Sequence, residues 1–124
     1  MSEPDHLQYT PEHEWVALDG DIATVGVTRF AADSLGDVVY VDLPAAGSRI
    51  TAGRVCGEIE STKSVSELYA PVSGEIVETN PAVIAAPELV NAQPYDAGWL
   101  FRVRFDVVPE GLLDAAAYQV LVGA

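Results

Sequence analysis

The stretch that decides the fold reads Glu58-Ile-Glu-Ser-Thr-Lys-Ser-Val-Ser-Glu-Leu-Tyr-Ala-Pro71. At its centre lies Lys63, the only lysine in the chain, whereas every other basic residue is an arginine. A lysine amine can lose its proton and become a nucleophile or an attachment point, which an arginine guanidinium cannot do. A composition that merely favours arginine would also leave one lysine by chance. Composition alone does not separate these two interpretations.

The residues around Lys63 have the two-residue period of β-strands. Apolar or small residues alternate with others over residues 55–60, and a second strand-like run covers residues 65–70 before Pro71 ends it. Two strands joined by so few polar residues form a hairpin, so we predict that Thr62 and Lys63 are its tip. A tight tip presents its side chain to solvent and to the active site of another protein.

A two-residue tip also predicts which residues face each other. The expected pairs are Ser61 with Ser64, Glu60 with Val65, and Glu58 with Glu67. The three glutamates then share one face beside Lys63, although like charges that face each other across strands are mildly destabilising. The functional interpretation is an acidic patch that a modifying enzyme recognises, or that holds a cationic group carried on the lysine. The alternative is an ordinary solvated face.

Five blocks of the sequence, in this order and spacing, are similar to a known family. They are Tyr9-Thr-Pro-Glu-His-Glu-Trp15; Leu35-Gly-Asp-Val-Val-Tyr-Val-Asp-Leu-Pro44; Glu60-Ser-Thr-Lys-Ser64; Ala70-Pro-Val-Ser-Gly-Glu75; and Pro87-Glu-Leu-Val-Asn91 followed by Gly98-Trp-Leu100. From about Tyr9 to its C-terminus, the chain resembles the H protein of the glycine cleavage system, a lipoylated carrier.

A more general pattern of lipoyl and biotinyl domains is also present. It consists of Gly47, Glu60 and Gly74, and the resemblance implies that these residues serve recognition by the modifying enzyme. The biotin version resembles Met-Lys-Met at the anchor, whereas this chain has Thr62-Lys63-Ser64. The resemblance therefore implies lipoate, attached covalently to Lys63, as the cofactor.

The resemblance also implies a function and its partners. Lipoyllysine at Lys63 would accept the aminomethyl group from glycine at the P protein, a decarboxylating glycine dehydrogenase. It would carry this group to the T protein, an aminomethyltransferase, and would be reoxidised by the L protein, dihydrolipoyl dehydrogenase. A lipoyl or octanoyl transferase, or a lipoate ligase, would load the lysine. The family is a carrier and not itself an enzyme.

The same resemblance assigns a cleft for the loaded arm. Glu14 and Glu67 match acidic positions of that cleft, and Glu12 lies where other members often have a small polar residue. An aminomethyl amine is cationic at neutral pH, so these carboxylates could hold it. Without the resemblance, Glu12 and Glu14 would be read as solvated charges at the start of a strand.

Three alternatives to the shuttle function remain open. A relay protein of the same family, which donates lipoyl groups to other carriers, would look the same in sequence. A lipoyl domain of a 2-oxoacid dehydrogenase acyltransferase would share the Lys63 hairpin, but we expect it to lack the terminal blocks and to continue into a linker. A binding module would leave the lysine unmodified.

The rest of the chain predicts a mainly β fold, which the resemblance sharpens to the barrel-sandwich hybrid of the lipoyl and biotinyl type with short helices. We expect one domain over residues 1–124, with an N-terminal tail over 1–8 and a C-terminal helix over 109–124. Asp19-Gly20 predicts a type I′ hairpin turn, Thr28 and Gly36 bracket a short helix, and residues 81–90 predict a loop with at most one helical turn. The C-terminal helix is predicted to bury one apolar stripe, formed by Leu112, Leu113, Ala116, Ala117, Val120 and Leu121.

The charge of the chain restricts its partners. A formal net charge of −13 repels nucleic acid and anionic lipid, and favours the basic rims of partner proteins. The first residues lack the basic and apolar segments of a signal or transit peptide, and no stretch is apolar enough to span a membrane. One cysteine excludes an internal disulfide. The single cysteine also fits a reducing cytoplasm, and we expect the protein to be bacterial, cytoplasmic and a monomer.

Other catalytic chemistry has little support in the sequence. Cys56 and His13 could form a nucleophile and base pair, but no third orienting group is recognisable from spacing. His6 and His13 lack the spacing of metal ligands, so we expect no metal site.

Overall fold

The computed structural model of the chain describes residues 4, 6–106 and 111–123. The strands in these residues are β1 (Gln8–Tyr9), β2 (Glu14–Asp19), β3 (Ile22–Val27), β4 (Val38–Asp42), β5 (Arg49–Ile50), β6 (Val55–Ser61), β7 (Val65–Tyr69), β8 (Gly74–Thr79) and β9 (Phe101–Phe105). The helices are α1 (Arg29–Leu35), α2 (Pro81–Ala85), α3 (Leu89–Ala92) and α4 (Ala115–Val122).

The strands form two antiparallel sheets that enclose the core. The larger sheet has the order β1-β2-β3-β9-β8-β5, and the smaller has the order β4-β6-β7. Apolar side chains from both sheets meet in one buried cluster, including Val25 and Phe101 from the larger sheet and Ile59 and Leu68 from the smaller. Each such side chain contributes about 1.5–3 kcal/mol by leaving water. The predicted β class, with short helices, is confirmed. None of the helices in the described residues has the length and apolarity to cross a membrane.

The hairpin between β2 and β3 turns one residue later than predicted. Asp19 pairs with Ile22, which leaves Gly20 and Asp21 as the loop. The backbone φ is positive at Gly20 (61°) and not at Asp21. One positive φ, at the first central residue, belongs to a type II′ turn, whereas type I′ needs two. The predicted type I′ turn centred on Asp19-Gly20 was therefore wrong, because the register of β2 includes Asp19.

The short helices follow their capping residues. The Thr28 side chain accepts a hydrogen bond from the Ala31 N–H, and α1 ends at Gly36, both as predicted. Asn80 caps α2 in the same way through the Ala82 N–H. Residues 81–92 contain both α2 and α3, so the prediction of at most one helical turn in this region was wrong.

The C-terminal helix is shorter and differently oriented than predicted. It begins at Ala115 after the cap residue Asp114, while residues 109–110 of the predicted helix lie outside the described residues. Ala115 and Tyr118 are its buried residues. The predicted stripe was wrong, because Leu112 and Leu113 precede the helix and the remaining four side chains are exposed, Val120 to 81%. The Tyr118 ring stacks on Tyr9 at 4.9 Å, and this contact sets the rotation of the helix.

The predicted N-terminal tail is partly structured. Leu7 is buried, and Gln8 and Tyr9 form β1 against β2. The backbone of Tyr9 exchanges two 2.7 Å hydrogen bonds with Leu113, just before α4. The two ends of the described chain are thereby joined on one side of the larger sheet.

Candidate functional site

The hairpin tip has the predicted register. Glu58 pairs with Glu67 and Glu60 with Val65, and the Ser61 N–H donates to the Ser64 carbonyl at 2.8 Å. The Ser61 hydroxyl oxygen also accepts hydrogen bonds from the Lys63 N–H at 3.3 Å and the Ser64 N–H at 3.1 Å. Ser61 thus closes the turn, and Lys63 is exposed at its end.

The Lys63 side chain lies against the C-terminal end of α1. The Thr62 N–H donates to the Asp37 carbonyl at 3.0 Å, which fixes the tip beside the helix. A Cβ at Gly36 would lie 3.5 Å from Lys63 Cε, so the lysine stem passes over this glycine. The absence of a side chain at Gly36 leaves room for the lysine to lie along the helix.

Asn91 holds this end of α1 in place. Its amide nitrogen donates to the Gly36 carbonyl at 2.7 Å, and its amide oxygen accepts from the Val38 N–H at 2.9 Å. The sequence block that ends at Asn91 therefore has a structural purpose that its distance from Lys63 along the chain does not reveal.

A cleft of about 300 Å³ extends along α1 between the two sheets. Both apolar and acidic side chains line it. The lining residues are Glu12, His13, Glu14, Val27, Phe30, Ala31, Ser34, Leu35, Ile59, the turn residue Ser64 and the β7 residues from Val65 to Leu68. All three glutamates that the sequence assigned to an arm cleft, Glu12, Glu14 and Glu67, are among them.

Glu14 is the buried carboxylate of this cleft, with a side chain only 1% exposed. Its Oε1 accepts a 2.8 Å hydrogen bond from the Thr10 hydroxyl, and its Oε2 accepts a 3.1 Å bond from the Tyr69 N–H. Burial raises the pKa of Glu14 to about 7, because these two hydrogen bonds only partly offset the loss of water and the nearby Glu12 adds repulsion. Glu14 therefore keeps its proton to a higher pH than an exposed glutamate does.

Glu12 and Glu67 form the exposed rim. Glu67 Oε1 accepts a 3.2 Å hydrogen bond from the Tyr69 hydroxyl, and the Glu67 charge raises the pKa of Tyr69. Glu67 lines the cleft from β7, an edge strand of the smaller sheet. On β6, Glu58 and Glu60 flank the buried Ile59, so their side chains point to the other face of the sheet. Neither residue lines the cleft. The register places the three hairpin glutamates on one face of the smaller sheet, as predicted, and only Glu67 among them also lines the cleft.

The glycines of the general lipoyl and biotinyl pattern have structural reasons to be glycine. A Cβ at Gly74 would overlap the Arg104 carbonyl oxygen on the neighbouring strand β9. Gly47 has a positive φ of 90°, which favours glycine, and donates its N–H to the Ile76 carbonyl at 2.7 Å. Glu60 is half-buried on β6, three residues before Lys63. Their role in recognition by a modifying enzyme stays a prediction.

The alternative catalytic pair is not assembled. Burial raises the pKa of the Cys56 thiol to about 12, which disfavours the thiolate that a nucleophile needs. His13 Nδ1 is instead 2.7 Å from the Tyr118 hydroxyl. Within residues 4, 6–106 and 111–123, no group of three or more His, Cys, Asp or Glu side chains could hold a metal ion.

Sequence reasoning missed two parts of the site. Helix α1 was predicted as an element, but the sequence did not indicate that Phe30 and Ser34 line the cleft. His13 was considered only as a base for Cys56 or as a metal ligand, and Thr10 and Tyr69 were not assigned to the site. The Thr10-to-Glu14 spacing and the histidine between two glutamates were the available signals.

Comparison with known proteins decides the family. A sequence profile of the family described as Glycine cleavage H-protein matches residues 7–122. The chain belongs to the glycine cleavage H-protein family. It is 61% identical over 121 residues to a glycine cleavage system H protein of Beutenbergia cavernae, covering 98% of this chain and 97% of that protein. The corresponding protein of Streptomyces coelicolor is 55% identical over the full length of both chains.

A solved structure confirms the fold. A crystal structure of a glycine cleavage system H protein from Mycobacterium marinum is 44% identical and superposes with a TM-score of 0.93, over 98% of this chain and 100% of that one. The barrel-sandwich prediction is therefore confirmed. The H-protein family is the lipoyl-carrying shuttle of the glycine cleavage system, and the relay alternative is not favoured.

Proposed function

We propose that Lys63 is the lipoyl attachment site and that the cleft along α1 shelters the loaded arm. The observation that carries this proposal is the position of the only lysine, at an exposed hairpin tip whose side chain lies over Gly36 beside the cleft. An amine in this position can form an amide with a carboxylic acid presented by another protein, since nothing covers it in the described residues.

The cleft suits an apolar arm with a cationic end. Val27, Leu35 and Ile59 supply apolar surface for a hydrocarbon chain, and Glu14 and Glu67 supply negative charge. When attached, the lipoyl group supplies a dithiolane that takes up the aminomethyl group of glycine and is later reoxidised. The protein supplies attachment, orientation and protection from water.

Glu14 has a specific part in this proposal. Its pKa of about 7 leaves much of the carboxyl uncharged when no cation is near. A cationic aminomethyl cargo favours the ionised form, so entry of the cargo shifts Glu14 towards its charged form. Glu67 and Glu12 add negative charge at the rim. The cargo is thus held in a partly dry site until another protein displaces it, which limits its reaction with water.

We infer the remaining properties from family membership and charge. The chain acts as a carrier without catalytic activity of its own. The P, T and L proteins are its partners, a lipoyl or octanoyl transferase or a lipoate ligase loads it, and Glu60, Gly47 and Gly74 serve the loading step. A monomer in the bacterial cytoplasm is the expected state, and neither nucleic acid nor membrane is an expected partner, given the net charge of −13.

The attachment site is tested by the intact mass of the protein purified from its own host, with peptide mapping around Lys63. We expect a mass shift that matches a lipoyl or octanoyl group on that residue, and a bare mass for Lys63→Arg, because a guanidinium does not form the amide. A bare wild-type mass in lipoate-replete cells would overturn the proposal and favour a binding module.

The cleft is tested by the rate at which the aminomethyl cargo is lost in buffer. We expect the Glu14→Gln, Glu67→Gln double variant to lose it about tenfold faster, since two charge-assisted contacts are removed. Glu58→Gln is the matched control, because Glu58 faces Glu67 across the strands but lies outside the cleft. An unchanged rate in the double variant would contradict the role of both carboxylates.

A further inference from the structure

Three consecutive side chains, Glu12, His13 and Glu14, all line the cleft. Glu12 and His13 lie in the turn that precedes β2, so the alternation of an extended strand does not apply to them. His13 has a positive φ of 71°, unlike any other described residue that is not glycine. The left-handed backbone at His13 therefore turns the imidazole towards the same cavity as its two neighbours.

The surrounding backbone holds His13 in this conformation. Its N–H donates to the Thr10 carbonyl at 3.1 Å, and its carbonyl accepts from the Thr28 N–H at 3.0 Å. A left-handed residue other than glycine is strained and persists only where its surroundings enforce it. Such backbone strain is found preferentially at functional sites.

The imidazole is also held on two sides. Its Nδ1 lies 2.7 Å from the Tyr118 hydroxyl of α4, and that hydroxyl lies 2.8 Å from Thr28 Oγ1. The ring is 4.8 Å from the Phe30 ring on α1 and meets the Tyr118 ring edge to face at 5.7 Å. Burial lowers the pKa of His13 despite the opposing effect of Glu12, so the imidazole is neutral at pH 7.

A neutral ring suits this position for an electrostatic reason. A permanently positive side chain between Glu12 and Glu14 would pair with these carboxylates and repel a cationic cargo. A neutral aromatic ring leaves the carboxylates available and covers the space beside them. Together with Phe30, it makes the end of the cleft near the start of α1 aromatic rather than open.

We propose that His13 is a positioning residue of this cleft. Its imidazole, fixed by Tyr118 and Thr28, forms with Phe30 a wall that keeps water from a small cationic amine held by Glu14 and Glu67. The inference rests on the proposed function, because it assumes that the cleft shelters the loaded arm. It adds a role for the C-terminal helix, since Tyr118 fixes the wall without lining the cleft.

Two variants and one control test the wall in the full, lipoylated chain. His13→Asn keeps a residue that tolerates the left-handed region and a polar atom near the place of Nδ1, but removes the outer half of the ring. Tyr118→Phe keeps the stacking on Tyr9 and removes only the hydroxyl. His6→Asn is the matched control, because His6 is the other histidine of the chain and lines a different cavity.

The first readout is the rate of cargo loss, measured alongside the melting temperature. We expect about three- to tenfold faster loss in His13→Asn and about two- to threefold in Tyr118→Phe, the range that the loss of one packed polar contact gives. His6→Asn should match the wild type. Wild-type rates in both His13→Asn and Tyr118→Phe would overturn the proposal.

The second readout uses the wild-type chain, so it does not depend on whether a variant folds. The imidazole nitrogen signals of two histidines are separable by NMR, and we expect those of His13 to shift when the cargo is loaded while those of His6 do not. Unchanged His13 signals would overturn the proposal that His13 forms a wall beside the cargo. Failure of the proposed function is distinguishable: Lys63 would then be unmodified, or the wild-type chain would lose its cargo as fast as a small lipoamide in water.

Discussion

At the scale of single residues, Glu14 shows how a site can be built at the expense of stability. Glu14 is the only Asp, Glu, Lys or Arg side chain among the buried residues that the structure describes. Its hydrogen bonds to Thr10 and Tyr69 link β2 to β7, and thus the larger sheet to the smaller. Burial of a charge costs free energy unless it is paired, and two neutral donors compensate only in part. The cost is consistent with a site that awaits a cation.

The pKa of Glu14 predicts how stability depends on pH in the chain without cargo. The folded-state pKa is about 7 and the ordinary value is 4.5, so the folded state retains a proton that the unfolded state releases between these values. The Glu14 contribution to the free energy of unfolding should therefore fall by up to about 3 kcal/mol as the pH rises from 4.5 to 7, and stay level above.

Glu14→Gln removes this titration, so the variant should gain stability relative to the wild type as the pH rises through this window. Urea unfolding at several pH values measures the difference. Glu58→Gln, at an exposed position, is the control and should not change the slope. A difference between Glu14→Gln and wild type that is constant with pH would contradict the raised pKa.

At the scale of elements, helix α4 shows that an apolar pattern does not by itself choose the buried face. Its sequence is rich in alanine, valine and leucine, so several rotations would bury comparable apolar area. Tyr118 decides among them, because its ring stacks on Tyr9 and its hydroxyl reaches Thr28 and His13. One large side chain with a polar end thus outweighs several small apolar ones.

This orientation predicts unequal costs along the helix. Tyr118→Ala should lower the free energy of unfolding by about 3 kcal/mol or more, because a fully buried aromatic ring is lost. Val120→Asn, at a side chain 81% exposed, should change it by less than about 0.5 kcal/mol. Urea unfolding of the two variants measures both. Equal losses would mean that Val120 is buried after all.

At the scale of the whole molecule, charge dominates. The net charge of −13 is spread over a small surface, and one row of exposed carboxylates crosses the smaller sheet through Asp42, Glu58 and Glu67. Directly opposed carboxylates destabilise a sheet. Because this row lies in the same sheet as the Lys63 hairpin, it favours partner proteins whose active-site rims are basic.

Association with the P, T or L protein should therefore weaken with salt. We expect the affinity to fall about tenfold between about 0.05 M and about 0.5 M salt, because screening shortens the reach of the charges. Asp42→Asn with Glu58→Gln should reduce this dependence more than Glu75→Gln with Glu88→Gln, although both pairs remove the same charge. Titration calorimetry measures the affinities, and equal effects of the two pairs would show that only total charge matters.

The sequence by itself determined the local features. Alternation and a short polar interruption predicted the Lys63 hairpin with its register, and the capping residues Thr28 and Gly36 predicted α1. These features depend on near neighbours along the chain, whose spacing can be read directly. One of these local predictions was wrong. The β2–β3 turn lies one residue later than predicted, because the pairing of β2 with β3 includes Asp19.

Only the tertiary structure decided how the site is assembled. The cleft joins residues from the start of β2, from α1 and from β7, which are far apart in sequence. The burial of Glu14, the left-handed backbone of His13 and the rotation of α4 each depend on contacts with such distant segments. Local sequence encodes periodicity and turns, whereas dielectric environment and side-chain orientation arise only when the two sheets and α4 pack together.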